Sequence, residues 1–353
     1  MRTVVFAVPG DLATPTGGYA YDRRIIAELA AIGFSPQVVD LGEGFPHPSA
    51  AVHAAACARL AALSAAPPIV IDGLAFGVLP EAAAAMRASH CLIALVHHPL
   101  ALEAGLSASE AARLATSERA ALAAARHVVV TGPSTAQILA ADYGVSSDRI
   151  TVVEPGTERG KPRMRARCEP MRLLAVGALV PRKGYDVLIA ALAELSGLDW
   201  RLVIAGDGTR SPATAQRLVA DLTRYNLAGR VALRGAVAPQ ELAALYAEAD
   251  LFVLPSRFEG YGMAYAEALA HGLPVIGTTA GAIPQTVPAT AGVLVPTDDV
   301  GALAGALRRL IEDRHEYERY AAGARAVTFP TWHEQGRRFA AVLERVASLE
   351  DLR

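Results

Sequence analysis

The chain reads as an α/β protein made of two doubly wound parallel sheets in tandem. Three observations predict this: β-branched runs alternate with alanine-rich helical stretches, the alternation halts once at a polar basic segment, and it then restarts in the same order. The first series places strands near residues 3–8, 36–40, 68–72, 91–96 and 126–131, with a last one at 149–153. These runs are apolar along most of their length, as expected of strands covered on both faces. Gly132-Pro133-Ser134 opens a helix, with proline where a missing amide costs least. The restart at Met171 brings strands near 171–176, 201–205, 230–234, 250–254 and 274–277, separated by helices that begin near Tyr185, Pro212, Pro239 and Met263. After Asp298 the text is helical to the end, interrupted at Pro330-Thr331-Trp332.

The expected organisation is a first domain over 1–160, a second over 170–330 and a final helical segment over 331–353. Between the domains, 154–170 has little apolar periodicity and carries the basic run Arg159-Gly160-Lys161-Pro162-Arg163-Met164-Arg165-Ala166-Arg167. Like charges keep such a connector extended and solvated. An anionic acceptor or a membrane surface is the alternative partner for that run.

At 353 residues and a net charge of -2, nothing in the electrostatics calls for a nucleic-acid partner. Apolar residues make up 52% of the chain, yet no uninterrupted run approaches the ~18 residues of a membrane span. The start, Met1 to Gly10, resembles a signal peptide only superficially: its apolar run is short, no small-residue cleavage site follows, and it reads as a buried strand. Cys57, Cys91 and Cys168 are widely spaced and form neither a disulfide framework nor a zinc pattern, which suits a reducing cytoplasm.

The segment Pro255-Ser256-Arg257-Phe258-Glu259-Gly260-Tyr261-Gly262-Met263-Ala264-Tyr265-Ala266-Glu267 sets two carboxylates eight positions apart across a strand-to-helix turn. A carboxylate accepts two hydrogen bonds from neighbouring hydroxyls, so Glu267 suits a ribose diol and Glu259 a second sugar. Taken singly, Glu259 also reads as a solvated loop acid and Glu267 as a helix-surface acid favoured by the dipole. Thr16-Gly17-Gly18 lies between the first strand and a helix, where glycines let backbone amides approach an anion. His97-His98-Pro99-Leu100 follows a buried strand, and either histidine at such an edge can bond a hydroxyl or phosphate. Glu103 could reach acceptor hydroxyls, or be a solvated acid at a helix start. Gly177-Ala178-Leu179-Val180-Pro181-Arg182-Lys183-Gly184 and Ala205-Gly206-Asp207-Gly208 are glycine turns at strand ends.

Together, Pro255-Ser256, Glu259-Gly260-Tyr261-Gly262, Glu267-Ala268, Gly272-Leu273-Pro274-Val275 and Gly281-Ala282-Ile283-Pro284 resemble the signature of family 4 of the retaining GT-B glycosyltransferases, in order through most of the C-terminal half. That resemblance implies the GT-B fold: two Rossmann-like domains facing a central cleft, with the last helix crossing back to the first domain. It implies transfer of a hexosyl group from a nucleoside diphosphate sugar to an acceptor hydroxyl with retention of configuration. No Asp-x-Asp motif stands at a strand end, so the transfer is expected to need no metal, and no cofactor beyond a UDP- or GDP-linked co-substrate.

The resemblance assigns His97 to the reacting sugar, with His98 second, and Lys183 to the diphosphate. It assigns Gly17 and Gly18 to a loop bordering that diphosphate, Gly281 to one facing the donor sugar, Gly177 and Gly206 to turns near the nucleotide, and Val237 to the base. Where the family has its other diphosphate cation this chain has Ala178, and Arg182 is the candidate substitute. Gln285 stands where the family often has Glu. The acceptor, whether small molecule, glycan or lipid-linked, is not specified. Arg23 and Arg24 are only two cations in the helix over 19–31, which favours a small acceptor in solution and leaves peripheral membrane contact open.

Three other classes compete. A Rossmann oxidoreductase lacks its Gly-x-Gly-x-x-Gly after the first strand. A GT-B epimerase or phosphorylase shares the architecture, and a non-catalytic nucleotide-sugar-binding protein is prompted by Ala178.

Overall fold

The computed structural model describes residues 2–103, 105–160 and 170–348. Most of the basic connector, from Lys161 to Arg167, lies outside them, as does Cys168; Cys57 and Cys91 carry free thiols. The chain divides into two compact units, Met1–Gly156 with Pro330–Arg353, and Thr157–Phe329.

The first unit has strands β1 (Arg2–Val8), β2 (Phe34–Asp40), β3 (Ile69–Asp72), β4 (Leu92–Val96), β5 (His127–Val130) and β6 (Ile150–Val152), in the order β2-β1-β3-β4-β5-β6. All neighbouring pairs are parallel. β3, β4 and β5 are buried along their whole length, so their apolar runs meet helices on both faces. The final helix, Trp332–Ser348, belongs to this unit. Its Phe339 ring lies 5.9 Å from Phe6 of β1, its Trp332 ring 5.8 Å from Tyr21, and Gly336 lets the backbone come against Glu28 of the helix Gly17–Ala31. Trp332 opens the helix rather than interrupting one, and the break falls before it, at 327–331.

The second unit has β7 (Met171–Val176), β8 (Trp200–Ala205), β9 (Val231–Leu233), β10 (Leu251–Val253), β11 (Val275–Thr278) and β12 (Gly292–Val295), in the order β12-β11-β10-β7-β8-β9, again all parallel. Helices begin at Tyr185, Pro212, Pro239 and Met263, as the sequence indicates. β12 escapes the sequence reading because it is only four residues long and starts with glycine.

In each sheet the strand order reverses at one point, at β1/β3 in the first unit and at β7/β10 in the second. Chains leaving neighbouring strands there diverge to opposite faces, opening a crevice at the carboxyl ends where α/β proteins bind ligands. Among the described residues, no helix is long and apolar enough to cross a membrane.

Candidate functional site

Both crevices collect the residues that the sequence singles out. In the second unit, Lys183 and Arg182 form a 3-10 turn after β7, and Glu259 lies on the loop after β10. Lys183 Nζ is 2.7 Å from Glu259 Oε1 and Arg182 Nη1 is 3.1 Å from Oε2. The Ser256 hydroxyl donates to Oε1 at 2.7 Å, and Arg182 also donates to the carbonyl of Phe258 at 2.7 Å. Glu259 is 7% exposed. Burial would raise its pKa, but Lys183 and Arg182 outweigh burial and hold it down at about 2, so it is a carboxylate throughout the physiological range.

Glycines make this convergence possible. Gly184, in the left-handed region at φ 68°, lies so close to Pro255 that a Cβ would be 2.2 Å from its carbonyl oxygen. Gly281, at φ 54°, would place a Cβ 2.4 Å from the Glu259 carbonyl oxygen, which accepts from the Ala282 amide at 2.9 Å. Gly281 thus packs on the backbone that carries Glu259. Gly206 closes against the Gly177 carbonyl, the same oxygen that accepts from the Tyr185 hydroxyl at 2.6 Å.

Gly262, at φ 90°, turns the chain from the Gly260-Tyr261 loop into the helix Met263–Ala270, which carries Glu267. Glu267 accepts from the Tyr246 hydroxyl at 3.0 Å, and burial raises its pKa to about 6 against that bond. His271 stacks on Tyr246 at 5.0 Å and holds its Nδ1 2.8 Å from the Glu267 carbonyl oxygen. Val237, half-buried, lies on the loop after β9.

In the first unit, His97 follows β4 and its Nε2 lies 3.2 Å from Asp22 Oδ1 and 3.3 Å from Asp72 Oδ2. Asp22 is on the helix after β1, and Asp72 ends β3 and caps the next turn through Leu74 N at 2.7 Å. These three residues each bring one ligand-type atom within 4.8 Å of the others, the geometry of a candidate metal group. Gly17 begins the helix rather than a wide loop, and a Cβ on Gly18 would sit 3.2 Å from His97 Cδ2. Gly18 therefore makes room for the histidine ring, a function the phosphate-loop expectation does not include.

His98 pairs with Glu103 at 3.1 Å; Glu103 ends a single 3-10 turn, so the helix-start alternative does not hold. Arg23 donates to the carbonyls of Leu12 and Thr14, and the Arg24 guanidinium lies 5.4 Å from the Trp332 ring centre. Both arginines are engaged within the unit and do not form an exposed basic face.

Sequence reasoning misses Asp22, Asp72, Ser256, Tyr246 and Glu118. Asp72 at the end of an apolar strand before Gly73 carries a readable signal, and Asp22 falls beside Tyr21, Ile25 and Leu29 on the buried face of its helix. Glu118 carries none: it sits between Ser117 and Arg119 in an alanine-rich helix, yet its Oε2 accepts from the Leu100 amide at 3.0 Å, fixing the turn after His98-Pro99.

Residues 170–313 match the family described as glycosyl transferases group 1. A GDP-mannose-dependent monoacylated alpha-(1-6)-phosphatidylinositol monomannoside mannosyltransferase of Corynebacterium glutamicum is 31% identical over 213 residues, 57% of this chain and 54% of that protein. A D-inositol 3-phosphate glycosyltransferase of a Nocardioides species is 33% identical over 248 residues, 64% of this chain and 54% of that protein. This chain thus spans about half the length of the curated relatives it matches. Sucrose-phosphate synthase from Thermosynechococcus elongatus superposes with a TM-score of 0.81 at 21% identity, covering 99% of this chain and 100% of that one, which shows a common GT-B fold. The likeness to the glycosyl transferases group 1 thus covers residues 170–313.

Proposed function

We infer that this protein is a glycosyltransferase that moves a hexosyl group from a nucleoside diphosphate sugar to an acceptor hydroxyl, retaining the anomeric configuration and using no metal. The observation that carries this reading is the convergence of Lys183 and Arg182 on one buried carboxylate at the β7/β10 switch point. A donor diphosphate competes for both cations, which stabilise the charge that develops as the sugar–phosphate bond breaks. Arg182, next to Lys183 in the turn Pro181–Lys183, supplies the second cation that Ala178 lacks.

As its cations turn to the diphosphate, Glu259 gains capacity to accept from donor sugar hydroxyls. Glu267 accepts from the ribose, and Val237 borders the base. The bond from anomeric carbon to phosphate oxygen breaks, the acceptor oxygen bonds to that carbon on the same face, and the acceptor proton passes to the leaving diphosphate. In the first unit, His97 and His98 are the candidates to bond a hydroxyl or phosphate, and Glu103 is paired with His98.

The activities of the similar proteins named above support GDP-linked mannose among the donors to try, and inositol phosphate or phosphatidylinositol among the acceptors. Purified protein with EDTA is incubated with UDP-, GDP- and ADP-sugars and these acceptors, and release of nucleoside diphosphate and the anomeric configuration of the product are read by NMR. An α-linked donor giving an α-linked product is expected. An inverted product, dependence on added metal, or an isomerised sugar formed without acceptor overturns the respective part of the reading.

A further inference from the structure

In the second unit Glu267 is gripped at both ends. Its carbonyl oxygen accepts from His271 Nδ1 at 2.8 Å and from the His271 amide at 3.1 Å, and its carboxylate oxygen Oε2 accepts from the Tyr246 hydroxyl at 3.0 Å. Tyr246 comes from the helix Pro239–Glu248 before β10, and Glu267 from the helix Met263–Ala270 after it. Tertiary packing, not local helix geometry, therefore brings that hydroxyl to the acid.

Tyr246 has little freedom to place its hydroxyl elsewhere. It is 1% exposed, and its ring stacks on His271 at 5.0 Å and packs on Phe252 of β10 at 6.2 Å. His271 is fixed in turn: its Nδ1 donates to the Glu267 carbonyl, and a Cβ on Gly160 would lie 2.3 Å from its Cδ2, so the connector closes against the ring. Burial keeps the phenol protonated, with the charge of Glu267 acting in the same direction, so the hydroxyl is a donor.

A buried tyrosine needs one acceptor, and the Ala264 carbonyl oxygen already offers one at 3.2 Å. Bringing a carboxylate to the same hydroxyl costs desolvation, which raises the Glu267 pKa to about 6. The acid is nearer than the carbonyl, and when ionised it takes the stronger bond. Among the described residues none bonds Oε1, which is left for a ligand.

We propose that Tyr246 is a positioning residue: by holding Oε2 it fixes the rotation of the Glu267 carboxylate, leaves Oε1 aimed at a ribose diol, and so gives the site a preference for ribonucleotides over 2′-deoxyribonucleotides. This rests on the assignment of Glu267 to the ribose in the reading above. A carboxylate held in advance gives up no rotational freedom when the sugar arrives. A sugar without its 2′-hydroxyl leaves that oriented acceptor unpaired, which is how a polar site rejects an analogue one hydroxyl short.

The test is isothermal titration of wild type and Tyr246→Phe at pH 7.5 with UDP, GDP and ADP and with the 2′-deoxy form of each. Wild type should bind at least one ribonucleotide about tenfold or more tighter than its 2′-deoxy form. Tyr246→Phe keeps the packed ring and removes only the hydroxyl, so affinity for the ribonucleotide should fall about fivefold or more while affinity for the 2′-deoxy form stays within about twofold. Added to Glu267→Gln, the same substitution should change the preference no further. Equal falls for both sugars mean a purely structural role and overturn the proposal, as does an unchanged preference or a further loss in the Glu267→Gln background. Should Tyr246→Phe not fold, a crystal structure of wild type with the bound ribonucleotide decides: the Tyr246 hydroxyl on Oε2 with Oε1 on the ribose supports the proposal, and a hydroxyl detached from Glu267 or bonded to the ribose itself overturns it. Wild type that binds nucleotides without preferring ribose loses both the ribose role of Glu267 and this proposal. Binding with the expected preference but without sugar transfer fails the transferase reading alone.

Discussion

Lys183 Nζ lies 2.7 Å from Oε1 of Glu259, across 76 residues of chain and between the two strands where the sheet order reverses. With Arg182 on the other oxygen, Glu259 is paired with both cations. Its charge is therefore part of the resting structure, and that has a consequence in acid.

The Glu259 carboxyl is held at about 2, below its ordinary value of 4.5. A depressed acid stabilises the fold above its unfolded pKa and loses that contribution as pH falls through the folded one. Stability from this group, on the order of 3 kcal/mol, should thus fade between pH 4.5 and 2. Chemical denaturation of wild type and Glu259→Gln across that window checks it: the two curves should converge toward pH 2 and separate above pH 5.

Glu267 has the opposite sense. Its pKa is raised to about 6, so its carboxyl gains a proton and loses acceptor capacity as pH drops through that value. Affinity for a nucleoside diphosphate should weaken several-fold from pH 7.5 to pH 5.5 beyond the change shown by Glu267→Gln, measured by calorimetry. A parallel pH dependence in both proteins would take the ribose role from Glu267.

Gly18 is a test of ring placement. An added Cβ would lie 3.2 Å from His97 Cδ2 and 3.3 Å from Nε2, tighter than ordinary contact, while the ring is clamped by two acids. Gly18→Ala should reduce kcat by about tenfold through misplacement of the ring and leave donor-induced thermal shifts intact. Loss of the thermal shift with unchanged kcat would instead support the phosphate-loop role.

Glu118 is 1% exposed and burial raises its pKa to about 8, so it is mostly neutral at pH 7. A raised acid binds its proton more tightly in the folded state, and stability falls as pH rises from 4.5 to 8. Glu118→Gln keeps an acceptor for the Leu100 amide and removes that penalty, on the order of 3 kcal/mol by pH 7. Its Tm should exceed that of wild type by several degrees at pH 8 and match it near pH 4.5.

The parallel sheets were legible because their apolar runs are separated by glycine and proline turns; β12, four residues beginning with glycine, had no such signal. In the second unit the site was legible for a related reason: Lys183, Glu259 and Glu267 sit in glycine-rich segments whose order along the chain carries the resemblance. In the first unit Asp22 and Glu118 were not legible: each acts through tertiary proximity, and a lone acid on a helix looks the same in sequence whether it faces water or a buried partner.

The central claim is that Lys183 and Arg182 bind the diphosphate of a sugar donor. Isothermal titration of wild type and Lys183→Ala with UDP-, GDP- and ADP-sugars, in EDTA, tests it most directly. At least one donor should bind wild type and lose tenfold or more in affinity in the variant, about 1.4 kcal/mol. No binding of any donor to wild type, or equal affinity in the two proteins, would contradict it.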